Sequence, residues 1–227
     1  MVFVRKLKTI FVAAITSVIF APRPANAQIL SKDNTRPQLK FTTADKRYAE
    51  LQRARQQTLA ILQADNACSA WFRESDPDAA EVFDSLHFEI VKDLSPYIYR
   101  KSVAYGEPLY KHPWAARAYE GSGRNSTIQI NANGPFFNST SPVLVMEAEG
   151  AFSRFGGNHP LTVASFPGSS AKAQVATLLH ELGHIIQRIP EDDDSWDGRS
   201  GRNTEEVLRN CKKEIREYTQ EVSHRRS

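Results

Sequence analysis

The feature that most constrains this chain is a pair of histidines four residues apart, in the segment His180-Glu181-Leu182-Gly183-His184. Apolar residues recur at helical spacing around this segment, so we predict a helix from about Ser170 to Arg188. Side chains four residues apart on a helix differ in direction by about 40°, which lets both imidazoles reach one ion. The pattern therefore predicts a helix with an ion-binding face.

The rest of this helix agrees with that interpretation. The helix has an apolar side opposite the histidines, which suits a buried face: Val175, Leu178, Leu179, Leu182, Ile186 and Ile189. The residues beside the histidines are mostly small: Ala173, Ala176, Thr177, Gly183 and Gln187. Because Gly costs a helix about 1 kcal/mol relative to Ala, Gly183 indicates that another segment approaches closely there. Ser169 and Ser170 precede the helix, where we expect a helix cap rather than the nucleophile of a Ser-x-x-Lys site.

The segment resembles the metal-binding helix of the zincin metallopeptidases. This resemblance implies that His180 and His184 bind Zn²⁺ and that Glu181 is the general base. It also implies an enzyme that hydrolyses peptide bonds in a peptide or protein substrate. The alternative is a non-catalytic exported protein whose zinc site has a structural or binding role.

The resemblance leaves the third metal ligand open. Pro190 stands where the metzincin subgroup has its third His. The thermolysin-like subgroup takes a Glu from a later helix, and Glu205 and Glu206 lie at a suitable distance. On a helix that begins at Asn203, however, both would point roughly 120–140° away from Cys211 in the apolar stripe. Glu206 also has a structural interpretation, because Asn203 and Glu206 would form a capping box.

The acidic loop after the metal helix is the preferred source of that ligand. Pro190 ends the helix, so the chain can turn back beneath the two histidines. Asp192 is our first choice, followed by Asp194 or Asp193. An Asp soon after the motif is similar to the aspzincin arrangement, although the Gly-Thr that precedes that Asp is absent here.

The C-terminal part also resembles a group of uncharacterised exported bacterial proteins. The shared pattern is the histidine motif, Ile189-Pro190-x-Asp192, Ser200-x-x-Asn203-Thr204-x-x-Val207 and Cys211. It covers about the last 55 residues and implies no particular activity.

The first 27 residues are typical of a signal peptide. Arg5, Lys6 and Lys8 precede an apolar run from Thr9 to Phe20, and Ala25-Asn26-Ala27 is a small-x-small cleavage site. The run is too short for a membrane span, which needs about 20 residues. We therefore expect export to the periplasm or the medium, with no membrane span after cleavage; the alternative is that the segment is retained as an N-terminal anchor.

Removal of residues 1–27 changes the charge of the chain. The segment contains four cations and no acid, so the 200 residues that follow have 25 Lys and Arg against 26 Asp and Glu, a net charge of −1. The basic character of the whole chain belongs to the targeting segment. It therefore does not indicate a nucleic acid partner or an anionic membrane.

The two cysteines, Cys68 and Cys211, both follow the predicted cleavage site. An even pair in an exported chain is most simply a disulfide. We expect this bond rather than a catalytic thiol, because nothing near Cys68 indicates an activated nucleophile.

The remaining pattern predicts an α+β fold. Residues 28–44 are predicted to be a flexible leader, and residues 45–227 a single zincin-like domain. Two helices are expected from about Asp45 to Ala64 and from Pro77 to Leu86, and the metal helix is followed by a C-terminal helix from Asn203 to Val222. Between them we expect a small mixed or antiparallel sheet, with strands at His87–Val91, Tyr97–Ala104 and Ser126–Asn131, and irregular structure over 138–170. The zincin resemblance implies an exposed strand that pairs with the substrate, and Ser126–Asn131 is the candidate for it; the alternative is that this segment is an ordinary strand of the sheet.

Overall fold

The computed structural model describes residues 43–93, 97–101, 108–111, 113–146, 152–192 and 198–224. The predicted signal peptide and nearly all of the predicted leader lie outside these ranges. Within them the chain forms five helices and three small sheets, which confirms the predicted α+β class. The helices are α1 Thr43–Gln63, α2 Ala67–Arg73, α3 Ala79–Asp84, α4 Ala171–Ile185 and α5 Arg199–His224.

Helix α2 was not expected as a separate helix. A capping box starts it: Asn66 accepts a hydrogen bond from the Ser69 backbone N–H (2.8 Å), and the Ser69 hydroxyl accepts one from the Asn66 N–H (3.3 Å). These bonds satisfy backbone donors that the first turn of a helix would otherwise leave unpaired. The same residues that end the long helix α1 therefore start α2 in a new direction.

The strands are short, and two of the three sheets are built from neighbours distant in sequence. In chain order they are β1 His87–Val91, β2 Tyr97–Lys101, β3 Pro108–Lys111, β4 Ala116–Arg117, β5 Thr127–Asn131, β6 Thr140–Met146, β7 Phe152–Pro160, β8 Thr162–Val163 and β9 Phe166–Pro167. The sheet orders are β1-β5-β4, β3-β2-β6-β7 and β8-β9.

Strand β5 lies in the centre of its sheet, so the prediction that it offers a free edge is wrong. Strand β1 runs parallel to it along its whole length, from the pair His87–Thr127 to the pair Val91–Asn131. On the other side, β4 pairs antiparallel with it at Ile130 and Gln129. The edge strand on this side of the sheet is therefore β4.

The prediction of irregular structure over 138–170 is also wrong, because β6 to β9 lie there. The glycines that suggested a break form a bulge in β7, where Gly156 and Gly157 stand opposite the single residue Val143. Gly157 has a φ of +87°, a conformation that glycine adopts readily. The pair therefore bends a strand rather than ending it.

The two C-terminal helices were predicted, with one difference at the start of the second. The Ser170 side chain caps α4 by accepting a hydrogen bond from the Ala173 backbone N–H (3.2 Å), which confirms the predicted cap. Helix α5 begins at Arg199, so Asn203 lies inside it and the predicted capping box with Glu206 is wrong. In the described part of the chain, no helix is long and apolar enough to cross a membrane.

Helix α4 is the centre of the core. Every residue from Ala173 to Ile185 is buried, and the helix packs against α1, α5, β4, β8 and β9. The small residues predicted beside the histidines thus face protein as well as the site. Close packing on all sides gives the histidines of α4 a rigid support.

A disulfide joins α2 to α5. Cys68 and Cys211 are bonded across 143 residues of sequence, and both are fully buried, so the predicted disulfide is confirmed. A crosslink of this kind stabilises a fold chiefly by restricting the unfolded chain. It also anchors α5, whose first turns contact the site described next.

Candidate metal centre

Helix α4 ends in a Schellman motif that reverses the chain. Gln187 has a left-handed φ of 57°, and its backbone N–H donates to the carbonyl of His184 (3.0 Å). The Arg188 N–H donates to the carbonyl of Gly183 (2.7 Å), which completes the motif. The chain then runs back past the helix end and brings Asp192 to the two histidines.

Gly183 is the point of closest approach in this reversal. A Cβ atom built there would lie 2.8 Å from Cγ1 and 2.9 Å from Cδ1 of Ile189. Ile189 is itself buried, so it has little room to move. The close approach inferred from this glycine is therefore made by the segment that delivers Asp192.

Gly183→Ala is expected to destabilise the protein by up to about 2 kcal/mol. Crowding of a packed core costs about 1–3 kcal/mol, and the better helix propensity of Ala recovers about 1 kcal/mol at most. Denaturant unfolding measures the change. The matched control is Gly201→Ala in α5, where a Cβ meets nothing within 4 Å and should stabilise by about 0.5–1 kcal/mol. Equal stabilisation by both variants would contradict the packing argument.

Three side chains bring ligand atoms together at this turn. His180 Nε2 lies 3.0 Å from Asp192 Oδ2, and His184 Nε2 lies 2.9 Å from His180 Nε2 and 3.5 Å from Asp192 Oδ1. Two ligands at roughly 2.0–2.1 Å from a tetrahedral ion are separated by about 3.3 Å. His180, His184 and Asp192 therefore form a group that could hold a metal ion.

The hydrogen bonds of Thr204 determine which nitrogen of His180 carries the hydrogen. The Thr204 hydroxyl has one hydrogen, which it donates to the Ser200 carbonyl (2.9 Å). Its contact with His180 Nδ1 (3.1 Å) must then be one in which Nδ1–H donates to Thr204 Oγ1. In the neutral ring this leaves Nε2 with a lone pair directed at Asp192.

With His180 neutral, the resulting arrangement could hold a cation. The lone pair of His180 Nε2 and the carboxylate of Asp192 face each other at 3.0 Å, and His184 Nε2 adjoins both. A single proton could bridge only two of these three atoms at once. One metal ion would bond all three, so the donor set fits a metal with three protein ligands and an open fourth position.

Asp192 is held as an ionised carboxylate. Asn203 Nδ2 donates to Asp192 Oδ1 (2.7 Å) and to the Pro190 carbonyl (2.8 Å). Burial by itself raises the pKa of Asp192. The protonated rings of His180 and His184, which donate to the carboxylate, and a hydrogen bond from Ser200 outweigh it and hold the pKa far below its ordinary value. The group is therefore negatively charged and ready to bind a cation at neutral pH.

The pKa values of Glu181 and His184 are raised, in contrast to that of Asp192. Burial raises the pKa of Glu181, although the charges of His180 and His184 and a hydrogen bond from the Ala118 backbone partly counteract it. Burial lowers the pKa of His184, but its hydrogen bond to Asp192 and the charges of Glu181 and Asp192 outweigh this and raise the pKa overall. A carboxyl with a raised pKa is suited to proton exchange near neutral pH.

The other predicted ligands do not join this group within the described residues. Glu205 is exposed, and Glu206 forms an ion pair with Arg209 on the same helix. Asp193 and Asp194 lie outside the described ranges. The structure thus brings together His180, His184 and Asp192, beside Glu181.

Sequence reasoning missed the groups that hold the ligands. Ser200 and Thr204 were noted only as part of a shared pattern, and Asn203 was predicted to cap a helix rather than to contact a ligand. Asn203 and Thr204 follow Ser200 by three and four residues, so the three side chains share one face of a helix. This spacing was the sequence signal that they could act together. Their partners Asp192 and His180 could not be read from that spacing.

A segment after β4 borders the site. The Gly121 N–H donates to the carbonyl of His184 (3.0 Å), and the Gly123 N–H donates to the carbonyl of Ile185 (3.4 Å). The segment thus covers the end of α4 and brings the Ala118 backbone to Glu181. Tyr119 lies beside it with 81% of its surface exposed, which is unusual for a large aromatic residue.

Comparison with models of known protein families, with curated proteins and with solved structures finds no match to this chain. The zincin resemblance therefore rests on the residues of the motif. The function is inferred from the chemistry of the site.

Proposed function

We propose that this protein is an exported zinc-dependent metallopeptidase, with His180, His184 and Asp192 as ligands and Glu181 as the general base. The observation that carries the proposal is the meeting of three potential ligand atoms at 2.9–3.5 Å beside a buried carboxyl. One cation could bind all three atoms, and the Glu181 carboxylate would supply a proton acceptor next to it.

The donor set favours zinc for this role. Two imidazoles and one carboxylate suit Zn²⁺, although such sets also bind Fe²⁺ in oxygenases. Glu181 favours the hydrolytic assignment, because a base adjacent to the ligands is used in hydrolysis. When bound, zinc would polarise a peptide carbonyl and make a water molecule acidic.

Glu181 would move the proton in the reaction. Its carboxylate takes a proton from the attacking water and passes it to the leaving amide nitrogen. Burial raises its pKa towards the range in which both transfers are feasible, and the Ala118 backbone N–H holds the carboxylate in position.

Strand β4 is the proposed edge for the substrate backbone. It lies at the edge of its sheet, and the chain continues from Arg117 through Ala118 to Tyr119 beside Glu181. An extended peptide that pairs with this edge gains main-chain hydrogen bonds close to the general base. The exposed ring of Tyr119 would then contact a substrate side chain.

Export is supported by two features. The signal-peptide pattern in residues 1–27 predicts it. The Cys68–Cys211 disulfide agrees with it, because such bonds persist in oxidising compartments.

The second candidate function is a non-catalytic metal site. It is favoured by burial: only 5% of His180, 5% of Glu181 and 3% of His184 is exposed. A site closed to solvent is typical of structural zinc. Solvent and substrate could reach this site beside Asp192, because 30% of the Asp192 side chain is exposed.

Metal analysis combined with a cleavage assay tests these proposals. We expect the exported protein to contain about one zinc per chain and to cleave members of a broad peptide library. A chelator should abolish cleavage, and added Zn²⁺ should restore it. Zinc without cleavage would favour the non-catalytic candidate, and the absence of stoichiometric metal after added Zn²⁺ would overturn both.

A further inference from the structure

The first turns of α5 contact two of the proposed ligands. Ser200 and Asn203 hydrogen-bond with Asp192, and Thr204 bonds with His180. The three residues share one face of the helix, because they are spaced by three and four positions. One helix face thus contacts both a ligand on α4 and a ligand on the turn that follows it.

Asn203 orients the Asp192 carboxylate. Its side-chain amide has two hydrogens, and Nδ2 lies at 2.8 Å from the Pro190 carbonyl and at 2.7 Å from Asp192 Oδ1. Asn203 therefore ties the carboxylate to the turn that delivers it. With Oδ1 engaged in this bond, Oδ2 is the oxygen that faces His180 Nε2.

Thr204 orients the His180 ring. Because its own hydrogen goes to the Ser200 carbonyl, its oxygen accepts the hydrogen of Nδ1 and leaves the lone pair of Nε2 towards the ion. A ligating histidine commonly donates its second N–H to such a partner. Thr204 is the buried group that performs this role for His180.

Packing of α5 in the core fixes the positions of Asn203 and Thr204. Val207, Leu208 and Cys211 are buried on the same helix, and Cys211 is bonded to Cys68 on α2. Helix α5 is thus anchored by packing and a covalent bond. The ligands can be oriented before any ion binds.

We propose that Asn203 and Thr204 are positioning residues that fix the donor atoms of Asp192 and His180, and that the affinity for zinc depends on them. This inference rests on the metal-binding half of the proposed function and not on the peptidase half. It concerns affinity for the metal alone, so it can be tested without a substrate.

Thr204→Val retains the size of the side chain and removes the oxygen that accepts from His180. We expect zinc affinity, measured by competition with a chelating dye, to fall about 10–100-fold. The matched control is Thr219→Val. The Thr219 hydroxyl also donates to the carbonyl four residues earlier (2.7 Å), but it lies four turns further along α5. Thr204→Ser, which keeps the hydroxyl, should retain most of the affinity.

Asn203→Ala tests the second contact. We expect a loss of affinity of at least tenfold. Its control is Asn210→Ala, because the Asn210 Nδ2 bond found among the described residues is local, to the Glu206 carbonyl (3.0 Å). Circular dichroism and unfolding of all variants separate loss of folding from loss of metal.

A spectroscopic measurement on the wild-type protein tests the role of Thr204 directly. Nitrogen NMR of the metal-free protein, recorded well above the ordinary imidazole pKa of about 6.5, should show the hydrogen of His180 on Nδ1. In Thr204→Val this preference should weaken. A hydrogen on Nε2 in the wild type would overturn the inference, even if a variant failed to fold.

The outcomes distinguish this inference from the proposed function. Zinc binding without peptide cleavage would reject the peptidase and leave the positioning role standing. Zinc binding that is equal in the wild type, Thr204→Val and Asn203→Ala would reject the positioning role alone. No zinc binding by the wild type would reject both.

Discussion

Replacing Glu181 with Gln is expected to lower kcat for peptide hydrolysis by about 10²–10⁴-fold while zinc remains bound. Gln has nearly the same size but cannot accept a proton from water. Glu181 is not one of the three converging donors, so its replacement should leave them in place. Because burial raises the pKa of Glu181, its ionised form is less favoured in the folded protein than in the unfolded chain. The neutral amide should therefore not reduce stability.

Parallel assays of hydrolysis, zinc content and unfolding test this result. Glu205→Gln is the matched control, because Glu205 is exposed on α5 and outside the donor group, and it should retain full activity. Unchanged hydrolysis by Glu181→Gln would reject the general base. Loss of zinc together with activity would instead indicate that Glu181 supports the ligands.

Replacing Asp192 with Ala is expected to weaken zinc binding by more than about 100-fold. Removal of a group that only supports a ligand typically costs 10–100-fold, and removal of the ligand itself should cost more. In the variant only His180 and His184 would remain, and two imidazoles alone do not complete a zinc site. Competition with a chelating dye measures the affinity.

The other acidic residues provide the controls for Asp192. Glu205→Ala and Glu206→Ala should bind zinc as the wild type does, since one residue is exposed and the other pairs with Arg209. Asp193→Ala and Asp194→Ala are expected to behave in the same way. A large loss in any of these variants, with Asp192→Ala unaffected, would assign the third ligand elsewhere.

Predictions that depended on local periodicity agree with the structure. Helices α1 and α4 and strands β1 and β5 lie close to the predicted ranges, because repeated burial of one face leaves a regular pattern in the sequence. Ser170 was also identified correctly as a cap, since a cap bonds to its own first turn. In each case the interacting groups are near neighbours along the chain.

Three predictions that concerned contacts between distant segments were wrong, whereas the distant Cys68–Cys211 disulfide was predicted correctly. Gly156 and Gly157 suggested a break, but pairing with β6 accommodates them as a bulge. Strand β5 was expected at an edge, yet β1 and β4 flank it. Asn203 was expected to cap a helix, whereas its side chain bonds to Pro190 and Asp192.

In the candidate metal centre, too, some residues could be predicted from local spacing and others depended on contacts between distant segments. Local spacing was enough to identify His180, Glu181 and His184, because four residues of an α-helix place the two imidazoles side by side whatever surrounds them. The choice of Asp192 among five acidic residues, and the roles of Asn203 and Thr204, depended on the packing of Ile189 over Gly183 and of α5 over the turn. Those contacts join segments whose relative positions no short-range pattern specifies. The histidine motif thus indicated where an ion could bind, and long-range packing completed the site.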